Sequence, residues 1–211
     1  MDLKRLILFF MKNGHKTLGR TELMKYIYLF EYYYFQMYGK QYTDLVFERY
    51  KFGPNQSSVV EATYALEAEG LIAVEAYKNF YDGTSYDHHL LEDSFPDYEL
   101  AANAELVAGF VVDTLWNQNY RGVLDIAYST PPMKEILEEE IQTGSQLYGR
   151  VIDMAKSGPV FKSSRKARME AKKRLQSKEV SRGSDIEYYA HLVDQNQKFS
   201  DTRRRANLAE Q

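Results

Sequence analysis

The chain contains no cysteine. That excludes a disulfide frame, a thiolate nucleophile and a cysteine-ligated zinc site. It also lacks any apolar run near the roughly 20 residues needed to span a bilayer. The N-terminal apolar stretch, residues 6–11, is six residues long and no small-residue cleavage site follows it. The expectation is a cytoplasmic protein with no membrane partner. No Gly-x-Ser-x-Gly elbow, phosphate loop or dinucleotide fingerprint occurs. No nucleophile, cofactor or metal chemistry is therefore expected, and the chain does not read as an enzyme.

Charge of one sign is scarce in particular places. Residues 160–182 carry nine basic and two acidic side chains, a net of +7. Residues 183–211 carry a net of −1, so the first 159 residues hold −9 of a total of −3. An acidic body with a basic appendage follows. Gly158-Pro159 punctuates the change, and the domain division is expected there, as 1–158 and 159–211. Tryptophan is nearly absent, with one residue, whereas tyrosine is abundant, with 18 among 211. Tyrosine suits half-buried surfaces and interfaces, because an apolar ring ends in a polar tip.

Periodicity and punctuation give an α+β chain, mainly helical. Leu3, Leu6, Ile7 and Phe10 mark a helix over 3–13, ended by Asn13-Gly14. Thr21 is placed to cap a second helix to Tyr38, with Leu23, Ile27, Phe30, Tyr34 and Tyr38 as its apolar stripe and Gly39 as its stop. Residues 45–52 read as a strand leading into a tight Gly53-Pro54 turn. Ser58 and Glu61 have capping-box spacing for a helix stopped by Gly70. Residues 71–80 and 85–91 form strands around Asp82-Gly83. A long helix is expected over 97–118, with Leu100, Ala104, Val107, Ala108 and Val111 inward. A shorter one follows over 120–128. Thr130-Pro131 opens another, from 133 to about 143, with helical continuation past Gly144 to Lys156. Ser184 and Glu187 match a capping box for a last helix striped by Ile186, Tyr189, Ala190 and Val193.

Strand, helix and hairpin over 49–91 follow the grammar of a winged helix-turn-helix. Charge opposes the DNA-reading use of that shape. The helix from Ser58 to Glu69 carries Glu61, Glu67 and Glu69 and no Lys or Arg, whereas a groove-entering helix must neutralise phosphates. Arg165, Arg168 and Lys172, aligned on one face if helical, are the alternative contact to nucleic acid or an acidic partner, although no aromatic residue interleaves for base stacking. His88-His89 cannot jointly chelate a metal from one strand, since adjacent side chains face opposite ways. These histidines read as solvent-edge residues of the hairpin. Glu138-Glu139-Glu140 reads as a solvated helix face. Tyr32-Tyr33-Tyr34-Phe35 covers most of a helix circumference, so some rings must meet another element or a partner.

Leu23-Met24-Lys25-Tyr26-Ile27-Tyr28-Leu29 resembles the motif helix of the Panacea (SocA-like) antitoxin domain. Tyr38-Gly39-Lys40 follows at the right distance. Arg49-Tyr50-Lys51-Phe52-Gly53-Pro54 is similar to that family's aromatic-x-Tyr-Gly-Pro stretch, with Phe52 where Tyr is usual. Leu66, Gly70, Leu71 and Ile72 continue the resemblance, which spans about 3–130. It implies a mostly helical domain with a small sheet. It also implies an antitoxin, from a bacterial or phage toxin–antitoxin or defence locus, that holds a toxin or effector by direct protein contact. No catalytic residue is carried over, and Tyr50, Phe52, Gly53 and Pro54 are implied to be structural. Tyr32, Tyr33, Phe35, Tyr77, Phe80 and Tyr81 are the expected partner-binding residues. The remaining alternatives are a DNA-binding regulator using 160–182 and an adaptor subunit of a phage or defence complex.

Overall fold

The computed structural model describes residues 2–14, 17–80, 82–91 and 99–156, together with Met169 and Lys173. The chain divides into two units, Met1–Gly158 and Pro159–Gln211. The first is built mainly of helices. Its elements run α1 (Asp2–Asn13), β1 (Leu18–Gly19), α2 (Arg20–Tyr38), β2 (Glu48–Tyr50), β3 (Gly53–Asn55), α3 (Ser57–Ala68), β4 (Ile72–Lys78), β5 (Thr84–Leu90), α4 (Ala102–Leu115), α5 (Tyr120–Ser129) and α6 (Pro131–Thr143). A single 3-10 turn, Met154–Lys156, comes last. The class is α+β, mainly helical.

The second helix is the axis of the unit. It touches α1, α4, α5, β1, β3 and β5. Neighbours on every side explain why residues 23–32 are all buried, Lys25 and Glu31 included. A helix enclosed all round needs no single stripe. The expected stripe is therefore only part of its buried surface, and Tyr38, at its exposed end, lies outside the core. Aromatic edges organise the packing. Phe10 meets Tyr26 at 5.4 Å, Tyr28 meets Phe47 at 5.3 Å, and Phe30 meets Tyr42 at 5.4 Å.

Gly39 ends α2 at φ 70, as its sequence position suggests. The start differs from expectation. Gly19, not Thr21, is the N-cap, because Leu18–Gly19 is already paired as a strand with His88 and Asp87. The Glu22 carboxylate accepts the Gly19 N–H. Likewise Gln56, not Ser58, caps α3, its side-chain oxygen accepting from the Ser58 N–H at 3.4 Å.

Two small sheets flank the helices. β1, β5 and β4 form an antiparallel sheet in that order, with β4 and β5 in register from Ile72↔Leu90 to Lys78↔Thr84. Asn79 closes the loop between them: its N–H donates to the Gly83 carbonyl, and its side-chain oxygen accepts the Gly83 N–H. β2 and β3 pair as Glu48↔Asn55, Arg49↔Pro54 and Tyr50↔Gly53. The turn is thus at Lys51-Phe52, and Gly53-Pro54 begins the returning strand.

Past Gly144 the expected helix does not continue. Gly144 at φ 68 and Gly149 at φ 82 turn the chain back along β2. There the Arg49 N–H donates to the Arg150 carbonyl, the Gly149 N–H to the Arg49 carbonyl, and the Ile152 N–H to the Phe47 carbonyl, each at 2.8 Å. Backbone pairing with a waiting strand outweighs the helical preference of the segment. Helix α4 also begins later than expected, at Ala102, five residues after Asp97.

Candidate functional site

The motif residues converge on one junction. Lys25 is 2% exposed, and its ammonium donates to the Pro54 carbonyl at 2.6 Å. Burial, with the Arg49 charge nearby, pulls Lys25 down to about 7. Arg49 is also buried and grips Glu140 with two donors, Nε and Nη2, at 3.1 and 3.2 Å. A third donor, Nη1, reaches the Tyr50 carbonyl. The guanidinium lies 5.6 and 5.4 Å from the ring centres of Tyr128 and Tyr148. Glu140 in turn accepts the Leu147 N–H at 2.9 Å, which ties the returning segment to the same pair. The carboxylate run is therefore not simply a solvated face.

Gly53 sits at φ 86, and a Cβ there would lie 3.1 Å from the Tyr128 ring. Both facts call for glycine. Pro54 is buried, while Tyr50 and Phe52 stand 57% and 48% exposed. The junction is thus a clamp with an aromatic rim. Further along α2, Glu31 is fully buried and accepts the N–H groups of Tyr42 and Thr43 and the Thr43 hydroxyl. Burial raises its pKa against those three donors.

The expected partner-binding aromatics scatter. Tyr32 is 5% exposed, its ring 5.0 Å from Tyr33. Tyr33 and Phe35 are half-buried. Tyr77 is exposed on β4, and Phe80, at the hairpin loop, is 95% exposed. Tyr81, Arg165, Arg168 and Lys172 lie outside the described residues, as does the expected last helix. Tyr33 does not act alone: its ring packs edge-on against Phe110 of α4 at 4.9 Å.

That contact opens onto an exposed apolar surface on α4. Ala104, Val107, Ala108 and Val111 of α4 are buried, as expected, and Leu100 just before it is partly so. The opposite face of the same helix carries Leu106, 62% exposed, and Phe110, 50% exposed. Together with Phe9 of α1 they line a shallow hollow of about 620 Å³, bordered by Glu105 and Asp113. A second hollow, of about 380 Å³, shares Phe9 and Glu105 and reaches Leu100 and Glu99. The two make a groove with an apolar floor and a mainly acidic border, to which Lys12 adds one cation. Its signal in the sequence was the i, i+4 pair Leu106 and Phe110 on the face away from the core stripe.

His88 and His89 part company, as strand geometry requires, but His88 is not a solvent-edge residue. It is 2% exposed, with Nδ1 donating to the Leu18 carbonyl at 3.0 Å. Burial lowers its pKa. β1 covers it, because that short strand pairs on the outer side of β5. Among the described residues no group of three His, Asp or Glu side chains is placed to hold a metal. No helix among them is long and apolar enough to cross a membrane. At the C-cap of α3, Glu69 pairs with Lys4 at 2.5 Å, and on the helix itself Glu67 accepts the Val74 N–H at 2.9 Å.

A family model described as Antitoxin SocA-like, Panacea domain, matches residues 23–132. The matched span holds Lys25, Arg49, Gly53, Pro54, Tyr128 and the whole of α4. No curated protein and no solved structure gives a match.

Proposed function

This chain belongs to the SocA-like Panacea antitoxin family, and we propose that it is a non-enzymatic antitoxin that neutralises a toxin protein by direct contact. The observation that carries the reading is the groove along α1 and α4. Its apolar floor, Phe9, Leu106 and Phe110, is continuous with Tyr33 through the Tyr33–Phe110 contact. Exposed aromatic and aliphatic side chains collected in a depression are what a protein anchor fills.

The occupant is an amphipathic helix of the toxin with basic flanks. Glu99, Glu105 and Asp113 border the floor, and the first 159 residues carry −9. Complementary charge speeds encounter and fixes orientation, while the apolar floor supplies most of the hold. Phe80 and Tyr77 on the hairpin offer a second, smaller contact.

Co-expression with the product of the adjacent gene tests this. The wild-type chain restores growth and co-purifies with that product. Phe110→Glu abolishes both while leaving the melting temperature nearly unchanged, because the ring is half-exposed. An adjacent product that is harmless alone, or full rescue by the Phe110→Glu variant, overturns the proposal.

Charge favours a second reading for the other unit. With a net of +7, residues 160–182 would bind phosphates as a DNA-contacting segment of a regulator. DNA affinity falling steeply with salt, and lost on neutralising Arg165, Arg168 and Lys172, would support it. Salt-independent binding, or none, would remove it. The exposed face of α3 bears Glu61, Glu67 and Tyr64, so DNA reading through that helix is disfavoured.

A further inference from the structure

Two basic side chains share one cavity in a unit whose net charge is acidic. Arg20 and Lys25 of α2 line a cavity of about 160 Å³ with Thr21, Tyr50, Phe52 and Asn55. Arg49 acts on Lys25 electrostatically from the adjoining strand, and the Lys51 ammonium lies 5.4 Å from the Phe52 ring centre. Two carboxylates near this group are already engaged. Glu140 is held by Arg49, and Glu22 caps the Gly19 N–H.

From the cavity and its donors we propose that this pocket binds a phosphate monoester, with the phosphoryl group between Arg20 and Lys25 and the attached group over Tyr50 and Phe52. Several features bear on it independently of the α1–α4 groove. Lys25 is almost completely buried and has one acceptor, the Pro54 carbonyl, for three donors. The Arg20 guanidinium is stacked 3.3 Å from the Tyr86 ring centre and donates through Nη2 to the Tyr64 hydroxyl, so it is held in place. Its buried Nε has no hydrogen-bond partner among the described residues. Thr21 and Asn55, polar and uncharged, complete the lining. Donors arriving from a helix and from a hairpin suit a tetrahedral oxyanion better than a planar carboxylate.

The exposed rings decide the rest of the ligand. Tyr50 and Phe52 stand half-exposed at the mouth, with the Lys51 cation beside them. A flat group such as a nucleobase gains stacking there that a bare phosphate does not. The class this favours is a nucleoside monophosphate.

The test uses the full chain and three probes: inorganic phosphate, AMP and acetate, followed by NMR of the backbone amides. The expected result is a saturable shift of the Thr21, Gly53 and Asn55 amides with phosphate, a tighter one with AMP, and none with acetate. Arg20→Gln weakens phosphate binding about tenfold, the loss of one charge-assisted hydrogen bond. Lys25→Met has the same effect if it folds, and Arg20→Gln serves if it does not. Phe52→Ala weakens AMP while sparing inorganic phosphate. Absence of saturation at tens of millimolar phosphate overturns the proposal. So do equal binding of acetate and unchanged affinity in Arg20→Gln. AMP no tighter than phosphate, or a Phe52→Ala variant that keeps full AMP affinity, overturns the nucleotide assignment.

Discussion

Arg49 and Glu140 are 91 residues apart in sequence and meet through two parallel hydrogen bonds, with side chains only 6% and 12% exposed. Removing one partner strands a buried charge, whereas removing both does not. Arg49→Met and Glu140→Met are each expected to cost about 3–5 kcal/mol. The double variant should cost much less than their sum. Urea unfolding of the four proteins measures this, and simple additivity would refute the coupling.

Lys25 makes stability depend on pH in a definite direction. Its folded value is about 7, against 10.5 for an ordinary lysine. Between those values the unfolded chain holds a proton that the folded chain does not, so stability rises with pH across that window. The gain is on the order of 5 kcal/mol at one pK unit per 1.36 kcal/mol. A Lys25→Met variant lacks this term. The stability difference between variant and wild type should therefore shift in favour of the wild type from pH 7 to 10.5, and parallel curves would contradict the assignment.

Gly53→Ala meets two obstacles, a left-handed backbone at φ 86 and the Tyr128 ring at 3.1 Å. Together these are expected to cost about 2–4 kcal/mol, most of it backbone strain. Adding Tyr128→Ala removes the collision but not the strain, so it should recover none of the backbone cost. Thermal unfolding of Gly53→Ala should show a midpoint lower by several degrees. An unchanged midpoint would mean that the β2–β3 hairpin relaxes freely.

Tyr28 and Thr130 share a buried hydrogen bond at 2.6 Å. Thr130 spends its own hydroxyl proton on the Ala127 carbonyl, so Tyr28 is the donor. Burial also raises the Tyr28 phenol well above its ordinary range. Thr130→Val should leave that phenol unpaired at about 1–3 kcal/mol, and Tyr28→Phe in the same background should recover most of it. A Thr130→Val protein as stable as the wild type would show that the phenol finds another acceptor.

How far the sequence discloses this arrangement depends on the range of the interactions. Stops set by local backbone chemistry, at Gly39 and Gly70, stand where glycine's freedom predicts them. Strand pairing across Asp82-Gly83 follows from alternation and turn residues alone. Segments whose fate is decided by distant partners do not announce themselves. Residues 145–152 have helical composition, yet the unpaired edge of β2 claims them. Gly19 looks unremarkable until Asp87, across the sheet, fixes it as strand and cap. Lys25 lies amid aromatics, and only the Pro54 carbonyl gives it a role. Glu140 reads as one of three solvated acids because its partner is a strand residue far away. On the candidate surface, Tyr33 was readable as a surplus ring on a crowded helix. Leu106 and Phe110 were hidden because the core stripe of the same helix accounts for its hydrophobicity.

Pro54 occupies the outer side of the β2–β3 ribbon. Its neighbour in register, Arg49, turns its backbone groups toward residues 149 and 150, so the corresponding groups of Pro54 look the other way. A proline has no N–H to extend there, and its carbonyl is already taken by an ammonium. A foreign strand arriving at that flank finds neither donor nor acceptor. The residue that shapes the clamp thereby also guards this short ribbon against intermolecular β-stacking.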